Sequence, residues 1–399
     1  MGVGASSGSV RRRHVFFIAG FDPKSPRYYH ALYRREAGRQ TAVSGLPLQV
    51  GRTRSRPTTF STSWAIDSPG STPVSTVYEM LQWDDIVRDH WASSATRVLI
   101  DGVRAVVFGL RDGAVQRLFQ LFRPPVYASL LPLAVMTFGS LLAAAVGVAV
   151  AAGVAAAAPG WPDAAGPVTG VGASLLTIAL LIRVVHRIQI TWLLRLLRFT
   201  HLQAIDRVPA LDARLSAFAA RIAEVAAAED AADEILVVGH SVGASLAIGV
   251  LARLADQQAA GSVATVPTLL SLGHCMPLLG TLSPANGFRR DLQAVAEANI
   301  DWLDITAPID WAAFPGIDPV RAAGLPPVPA GWHPRLLSPR FHTLFSPAAY
   351  ARLKANRFKV HLQYLMASER TGRYDYFAIT AGPQSLRQRF DDADSDVDR

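Results

Sequence analysis

The sequence predicts an α/β protein that is interrupted by a two-helix transmembrane hairpin. Residues 235–239 form an apolar, β-branched run typical of a buried strand, and a helical pattern follows it closely. Other short apolar runs, such as residues 14–18 and 268–272, alternate with stretches of helical periodicity. Residues 126–158 carry no charge, and this run exceeds the roughly 20 apolar residues that cross a bilayer. These patterns indicate a sheet-and-helix domain with a membrane anchor inserted into it.

Composition narrows the class of protein. A chain of 399 residues is long enough for one large α/β domain or two ordinary ones. Hydrophobic residues make up 50% of the chain and mean hydropathy is +0.22, which is high for a soluble enzyme. A single cysteine, Cys275, excludes an internal disulfide. The net charge of +8 comes with arginines that flank apolar segments and without a nucleic-acid-binding motif, so it indicates a membrane partner and no nucleic acid.

The strongest local signal is the Gly-x-Ser-x-Gly sequence formed by Gly239, Ser241 and Gly243. A serine between a strand and a helix is held in a strained turn that only small neighbours allow, and its Oγ stands at the strand tip. The N-terminus of the following helix offers free N–H groups and partial positive charge to a developing oxyanion. The pattern therefore predicts that Ser241 is a nucleophile.

The apolar residues 126–158 and 166–185 predict two membrane-spanning helices joined by a short turn. Arginines flank both ends of this pair, whereas the turn carries only Asp163. The flanking arginines are Arg104, Arg111, Arg117, Arg123, Arg183, Arg187, Arg195 and Arg198. By the positive-inside rule both chain termini face the cytoplasm, in an inner membrane of the bacterial type. The leucine- and arginine-rich segment up to residue 199 either extends the second helix or lies along the interface.

The strand, Ser241 and helix together resemble the nucleophile elbow of α/β-hydrolases, close in style to serine lipases and esterases. This resemblance implies a mostly parallel sheet flanked by helices, and a catalytic serine, acid and histidine in that chain order. It also implies an oxyanion hole made by the backbone N–H of Val242 and an N–H just after an early strand. Phe21, in the turn that follows residues 14–18, fits the second donor.

The same chain order limits the acid and the base to late residues. Asp310 follows a predicted strand and a Pro-containing turn, and it is the favoured acid. Asp304, at the end of that strand, is the alternative. His361 enters a late helical stretch and is the favoured base, with His342 as the alternative. His274 precedes both candidate acids, so it is assigned to a loop or pocket wall.

Five segments follow from these assignments. They are residues 1–13 as a disordered N-terminus, 14–125 as the first part of the hydrolase domain, 126–199 as the hairpin with a juxtamembrane helix, 200–385 as the second part with the elbow, and 386–399 as a disordered acidic tail. The anchor thus splits the hydrolase domain in two.

The resemblance implies a membrane-anchored serine hydrolase that cleaves a lipid or acyl ester through Ser241, His361 and Asp310. Its expected partners are the lipid bilayer and the acyl ester. No metal or organic cofactor is expected, since the sequence has no ligand cluster with zinc or iron spacing. Two other functions stay open at this point. One is an acyltransferase or thioesterase with the same triad, and the other is a non-catalytic membrane scaffold of the same fold.

Overall fold

The computed structural model describes residues 9–91, 94–187, 191–228, 230, 232–259, 267–298, 300–326 and 334–391. The chain forms two compact units, which are His90–His201, and Met1–Asp89 together with Leu202–Arg399. We call the first the helical unit and the second the sheet unit. The helical unit is larger than the predicted insertion at residues 126–199, because it also contains helices that precede residue 126.

The described part of the sheet unit contains a nine-stranded sheet. Its strands are β1 (Arg12–Ile18), β2 (Gln49–Val50), β3 (Arg54–Arg56), β4 (Ser61–Ser68), β5 (Val74–Leu81), β6 (Glu234–His240), β7 (Thr268–Leu272), β8 (Trp302–Ile305) and β9 (Arg335–Leu337). The order across the sheet is β2-β4-β5-β1-β6-β7-β8-β9, and β3 also pairs with β4. All pairs from β5 to β9 along this order are parallel, whereas the pairs made by β4 are antiparallel. The predicted α/β class with a mostly parallel sheet is therefore confirmed.

The helices occur in both units. In chain order they are α1 (Pro26–Ser44), α2 (Asp84–Asp89), α3 (Ala95–Arg111), α4 (Ala114–Leu121), α5 (Arg123–Ala157), α6 (Ala165–Arg187), α7 (Thr191–Ala204), α8 (Pro209–Ala226), α9 (Val242–Ala259), α10 (Met276–Gly280), α11 (Asn286–Glu297), α12 (Pro319–Ala322), α13 (Phe341–Leu344), α14 (Pro347–Ala355), α15 (Arg357–Leu362), α16 (Tyr376–Ala381) and α17 (Leu386–Phe390). Single 3₁₀ turns lie at Pro57–Thr59 and Gln363–Leu365. Helices α3 to α6 and most of α7 belong to the helical unit.

Helices pack against the side chains that point outward from the sheet. Val15, Phe17 and Val238 belong to one apolar cluster with Tyr33 of α1 and Phe377 of α16. Side chains alternate between the two faces of a strand, so these residues mark one face of the sheet. Helix α9 contacts β6, β1 and β7. Every residue of β6 is buried, as expected for a central strand with parallel neighbours on both edges.

Four parallel strands end side by side at one edge of the sheet. Ile18 pairs with Gly239, and Leu272 pairs with both His240 and Ile305. The carboxyl ends of β1, β6, β7 and β8 therefore lie next to one another. Polar loops after adjacent parallel strands commonly form the ligand site of such sheets.

A buried carboxylate on β5, Glu79, joins four elements of the sheet unit. It accepts hydrogen bonds from His14 Nε2 at 3.0 Å, Ser61 Oγ at 2.6 Å, and Arg221 Nε and Nη2 at 2.9 and 3.0 Å. Burial alone would raise the pKa of Glu79, but these hydrogen bonds outweigh it and lower the pKa to about 2. The ionised carboxylate therefore ties β1, β4 and β5 to α8 at neutral pH.

The helical unit contains two helices that are long and apolar enough to cross a membrane, by length and composition. They are Arg123–Ala157 and Ala165–Val184. Their most apolar stretches reach mean hydropathies of 2.2 and 1.8, and 17% and 11% of these stretches are buried within the protein. Such exposed apolar surface is typical of helices that face lipid. The helices coincide with the two predicted from residues 126–158 and 166–185, and they support membrane association.

Helices α5 and α6 approach each other through small residues. A Cβ added at Gly170 would lie 2.6 Å from the carbonyl oxygen of Gly147, so neither helix tolerates a larger side chain there. Ser174, one turn further along α6, donates a hydrogen bond from Oγ to the Ala143 carbonyl at 2.9 Å. Small residues at four-residue spacing and a side-chain hydrogen bond across the pair are the usual means of helix association in lipid.

The ordered sheet unit extends past both predicted ends. β1 begins at Arg12, inside the segment 1–13 that was predicted to be disordered. Helix α17 occupies the start of the predicted tail, because a capping box begins it and Leu386 and Phe390 are buried. Regular structure thus begins two residues before the predicted start of the domain at residue 14 and continues five residues past its predicted end at residue 385. Residues 1–8 and 392–399 lie outside the described part of the chain.

The Glu79 cluster yields a stability prediction. The substitution Glu79→Gln removes the charge that compensates buried Arg221, and we expect Tm at pH 7 to fall by roughly 5–10 °C in thermal unfolding of the detergent-solubilised protein. The pKa of folded Glu79, about 2, lies below the ordinary value of 4.5. The carboxylate therefore stabilises the fold above pH 4.5, and its contribution disappears as the pH falls through about 2. The difference in Tm between wild type and variant should shrink over that range.

The control for this prediction is Glu224→Gln. Glu224 also pairs with Arg221, at 2.8 Å, but its side chain is 64% exposed. An exposed ion pair contributes at most about 1 kcal/mol, so this change should leave Tm within about 2 °C of wild type. Equal stability of Glu79→Gln and wild type at pH 7 would contradict the role of the cluster.

Candidate active site

Ser241 lies in a strained turn between β6 and α9. Its φ is 57°, a left-handed conformation that residues other than glycine adopt rarely and at a cost in energy. Its backbone N–H donates to the Leu272 carbonyl at 2.9 Å, which ties the turn to the end of β7. Val242 follows directly and begins α9. The predicted strand, serine and helix are therefore present, with Ser241 at the carboxyl edge of the sheet.

Glycines on both sides of Ser241 let the backbone pass close to its neighbours. A Cβ added at Gly239 would lie 2.5 Å from Ala244 Cα, in the first turn of α9. A Cβ added at Gly243 would overlap the carbonyl oxygen of Ile18 at the end of β1. The Gly-x-Ser-x-Gly spacing is therefore required by close packing between β1, β6 and α9.

The segment after β1 runs beside the Ser241 side chain. A Cβ added at Gly20 would lie 2.9 Å from Ser241 Cβ and 3.4 Å from Ser241 Oγ. Trp83 contacts this segment in two ways. Its Nε1 donates to the Ala19 carbonyl at 2.9 Å, and its ring centroid lies 6.2 Å from that of Phe21. Phe21, the predicted oxyanion donor, thus belongs to the segment next to Ser241. Its role as a donor stays a prediction.

Asp310 and His361 form a buried pair. His361 Nδ1 donates to Asp310 Oδ2 at 2.8 Å, although the two residues are far apart in sequence. Their relative exposures are 1% and 5%. The Ala312 N–H donates to Asp310 Oδ1 at 3.1 Å. A carboxylate in this position fixes the imidazole tautomer and directs Nε2 away from the acid.

Tyr364 donates a hydrogen bond to the same carboxylate oxygen of Asp310 that His361 contacts. Its hydroxyl donates to Asp310 Oδ2 at 3.0 Å and accepts from the Ala307 N–H at 2.9 Å. Burial, followed by the nearby Asp310 charge, raises the pKa of Tyr364 well above its usual value, so the hydroxyl stays a donor. A Cβ added at Gly273 would lie 2.6 Å from Tyr364 Cε2, and this glycine has a φ of 53°. The end of β7 thus leaves room for the tyrosine.

His240, the residue before Ser241, contacts the backbone of His361. Its Nε2 donates to the His361 carbonyl at 2.7 Å, and the two imidazole centroids are 4.9 Å apart. Burial, with a smaller effect of His361, lowers the pKa of His240 from 6.5 to about 3. The ring is therefore neutral at physiological pH. Below pH 6.5 this histidine is protonated in the unfolded chain but stays neutral in the folded chain until the pH falls to about 3. Acid therefore favours unfolding over this range.

Cys275 is a further neighbour of Ser241. Burial raises the pKa of its thiol to about 12. A hydrogen bond with the Ser241 side chain acts in the opposite direction but is the smaller effect. The side chain is 4% exposed and remains a neutral thiol at pH 7. It borders Ser241 as a small, weakly polar group.

Asp304, the alternative acid, has hydrogen-bond partners other than those of Asp310. Asp304 is buried on β8 and accepts hydrogen bonds from Ser271 Oγ at 2.6 Å and Thr306 Oγ1 at 2.9 Å. Burial raises the pKa of Asp304, although His274 and these hydrogen bonds act in the opposite direction. His274 Nε2 lies 3.7 Å from its carboxylate, and the ring is fully buried.

The alternative base, His342, lies on the surface of α13. Its side chain is exposed, and its ring centroid is 6.3 Å from that of Tyr350. Of the candidates, the structure therefore brings His361 and Asp310 into direct contact. The catalytic roles of Ser241, Asp310 and His361 remain predictions.

Sequence analysis did not identify Tyr364, His240 or Cys275. Tyr364 follows His361 by three residues, a helical spacing that places two side chains on one side of the chain, and this was the only available signal. His240 lies within the Gly-x-Ser-x-Gly sequence, at a position where many side chains occur. The contact of Cys275 with Ser241 depends on the pairing of β6 with β7, which no local pattern reveals.

Comparisons of the chain with protein-family models, with curated proteins and with solved structures gave no match. Within the described residues, no group of three or more His, Cys, Asp or Glu side chains is placed to hold a metal ion.

The close packing at Gly243 yields a prediction. The substitution Gly243→Ala forces a Cβ into the Ile18 carbonyl, and we expect the free energy of unfolding to fall by about 1–3 kcal/mol or more in chemical denaturation. Gly38→Ala is the matched control, because a Cβ at this α1 position meets nothing within 4 Å. The control should leave stability unchanged or raise it by up to about 1 kcal/mol. Equal behaviour of the two variants would show that the turn is not tightly packed.

Proposed function

We propose that this protein is a membrane-anchored serine hydrolase of the α/β-hydrolase type, which cleaves a lipid or acyl ester. Ser241 is the nucleophile, His361 the base and Asp310 the acid. The observation that carries the proposal is the strained turn at Ser241, whose neighbour His240 contacts a histidine already paired with a buried carboxylate. Nucleophilic acyl transfer requires such a serine and such a pair.

The acylation step uses the two ring nitrogens of His361 in different ways. Ser241 Oγ attacks the ester carbonyl carbon while Nε2 of His361 takes the hydroxyl proton. The tetrahedral intermediate then collapses, the bond to the alcohol oxygen breaks, and His361 returns the proton to that oxygen. Asp310 accepts the Nδ1 hydrogen bond throughout and stabilises the imidazolium that forms between the two transfers.

Deacylation repeats the same sequence with water. His361 takes a proton from water as the water oxygen attacks the acyl carbon, and it then returns a proton to Ser241 Oγ as the acid leaves. Neutral His240 suits this cycle, because a second cation within contact distance would oppose protonation of His361. The hydrogen bond between Ser241 Oγ and His361 Nε2 is part of the proposal, whereas the contacts of His361 with Asp310 and His240 are observed.

The oxyanion of both intermediates needs hydrogen-bond donors near Ser241. The backbone N–H of Val242, at the start of α9, is the first proposed donor, and the helix N-terminus adds partial positive charge. The second is the N–H of Phe21, in the segment that runs past the Ser241 side chain. Loss of one such donor typically lowers kcat by about 100- to 1,000-fold.

The helical unit supplies the proposed membrane anchor. Helices α5 and α6 span the bilayer in this account, and the arginines that flank them place both chain termini on the cytoplasmic side. Helix α3 exposes an apolar stripe at helical spacing, formed by Ile100, Val103, Val107 and Leu110. A stripe of this kind beside two apolar helices suits the lipid interface. An enzyme attached in this way meets acyl esters of the bilayer itself.

The proposed function is tested by labelling with a fluorophosphonate, which reacts with activated serines. Wild-type protein in detergent should be labelled, and Ser241→Ala should not be. His361→Ala should slow labelling by about 1,000-fold or more, because the hydroxyl loses its base. His342→Ala, a change of the same kind at an exposed position, should label at the wild-type rate.

Other outcomes would overturn the proposal in different ways. Folded wild-type protein that is not labelled would contradict an active triad and favour a non-catalytic membrane scaffold. Labelling that persists in Ser241→Ala would assign the reactive group to another residue. If the acyl group passes from Ser241 to an alcohol or thiol faster than to water, the protein is an acyltransferase that uses the same groups.

A further inference from the structure

Two contacts lie side by side between α15 and the loop after β8. His361 and Arg357 are one helical turn apart on α15, and their partners, Asp310 and Trp311, are adjacent in the loop. Side chains four residues apart on a helix have Cβ atoms about 6 Å apart and lie on one face. The Arg357 guanidinium is therefore a close neighbour of the proposed catalytic pair.

Stacking fixes the orientation of the Arg357 guanidinium. Its Cζ lies 3.9 Å from the centroid of the Trp311 ring, so the planar group rests against the indole face. Both side chains are exposed, Trp311 to 37%. Within the described part of the chain, no carboxylate or carbonyl accepts a hydrogen bond from Arg357. A stacked guanidinium keeps its in-plane N–H donors available, and their fork matches two oxygens of an anion.

The segment of chain that carries Arg357 is rich in positive charge. Residues 347–362 carry Arg352, Lys354, Arg357 and Lys359 and no carboxylate. Lys24, from the segment that runs past Ser241, places its ammonium 5.3 Å from the ring of Phe358. Lys24 is neutralised by Asp22 at 2.9 Å, so Arg357 is the better oriented cation of this group.

We propose that Arg357 binds a phosphate group carried by the ester substrate. This inference rests on the proposed function and names its substrate class. The guanidinium donates hydrogen bonds from its edge to two phosphate oxygens, while Trp311 covers one of its faces. The same molecule carries the ester carbonyl that Ser241 attacks in the proposed mechanism. A lipid headgroup and a soluble acyl donor both offer this chemistry.

The first experiment compares two substrates that share their acyl esters. Dihexanoyl phosphatidylglycerol carries the phosphate and dihexanoylglycerol does not. We expect Arg357→Gln to lower kcat/KM for the phosphate-bearing ester by about 10- to 100-fold, mainly through KM, because one charge-assisted contact is lost. The same variant should hydrolyse dihexanoylglycerol within about twofold of the wild-type rate.

Two further variants sharpen the comparison. Arg357→Lys keeps the charge but loses the planar fork, so its loss on the phosphate-bearing ester should be intermediate. Arg352→Gln removes the same charge from α14 and should leave kcat/KM for both esters within about twofold. Equal losses on both esters in Arg357→Gln would overturn the proposal, since Arg357 would then only support Trp311 and Asp310. No loss on either ester would overturn it as well.

A soluble substrate separates the two sources of phosphate. Hexanoyl coenzyme A carries phosphates on a water-soluble acyl thioester. An Arg357-dependent preference for phosphatidylglycerol identifies a lipid headgroup, whereas an Arg357-dependent preference for the coenzyme A ester identifies a soluble donor. Either result supports the phosphate subsite.

Direct binding distinguishes failure of this inference from failure of the proposed function. The dihexyl ether analogue of phosphatidylglycerol has no ester to cleave, so its binding in isothermal titration calorimetry needs no active serine. Binding by wild type that weakens about 10-fold or more in Arg357→Gln upholds the subsite, even if no ester is hydrolysed. Equal affinity of the two proteins, or no binding by wild type, overturns it.

Discussion

Three neighbouring strands hold the backbone of Ser241 in the left-handed region, with a φ of 57°. The end of β7 accepts its N–H through the Leu272 carbonyl, and Gly243 lies directly against the Ile18 carbonyl of β1. β6 itself is buried along its whole length. The position of the serine side chain is therefore set by the sheet, and the strain at this residue is stabilised by the packing of β1, β6 and β7. Asp310 and His361 lie on a loop after β8 and on the short helix α15, and they pair with each other at 2.8 Å.

The two imidazoles near the turn have different electrostatic surroundings. His240 is held neutral by burial, with its pKa lowered to about 3. His361 instead has a carboxylate partner in Asp310, and Tyr364 donates to that same carboxylate. Burial without a counter-charge disfavours a protonated ring, so the proposed mechanism assigns the proton transfer to His361, the histidine that has a carboxylate partner.

The sequence predicted the features that depend on residues close together in the chain. The strand, Ser241 and helix follow from periodicity and glycine spacing, and the two apolar helices follow from hydropathy. The sequence favoured Asp310 by its place after a strand and a Pro-containing turn, and His361 by its place in a late helical stretch. Asp304 stayed open, because only the packed structure shows which carboxylate meets the histidine. The assignment of α3 and α4 to the helical unit was missed for a similar reason. The apolar face of an amphipathic helix shows that the helix packs against another part of the protein, but the sequence does not show which part.

The central claim is that Ser241 forms a covalent acyl-enzyme with help from His361. It is tested most directly by acid quench of the protein during turnover of 4-nitrophenyl hexanoate, followed by mass spectrometry of its peptides. The account predicts one hexanoyl group, on the peptide that contains Ser241, and its absence from His361→Ala. Turnover of the ester without an acylated protein, or a hexanoyl group on Cys275 in place of Ser241, would contradict the account.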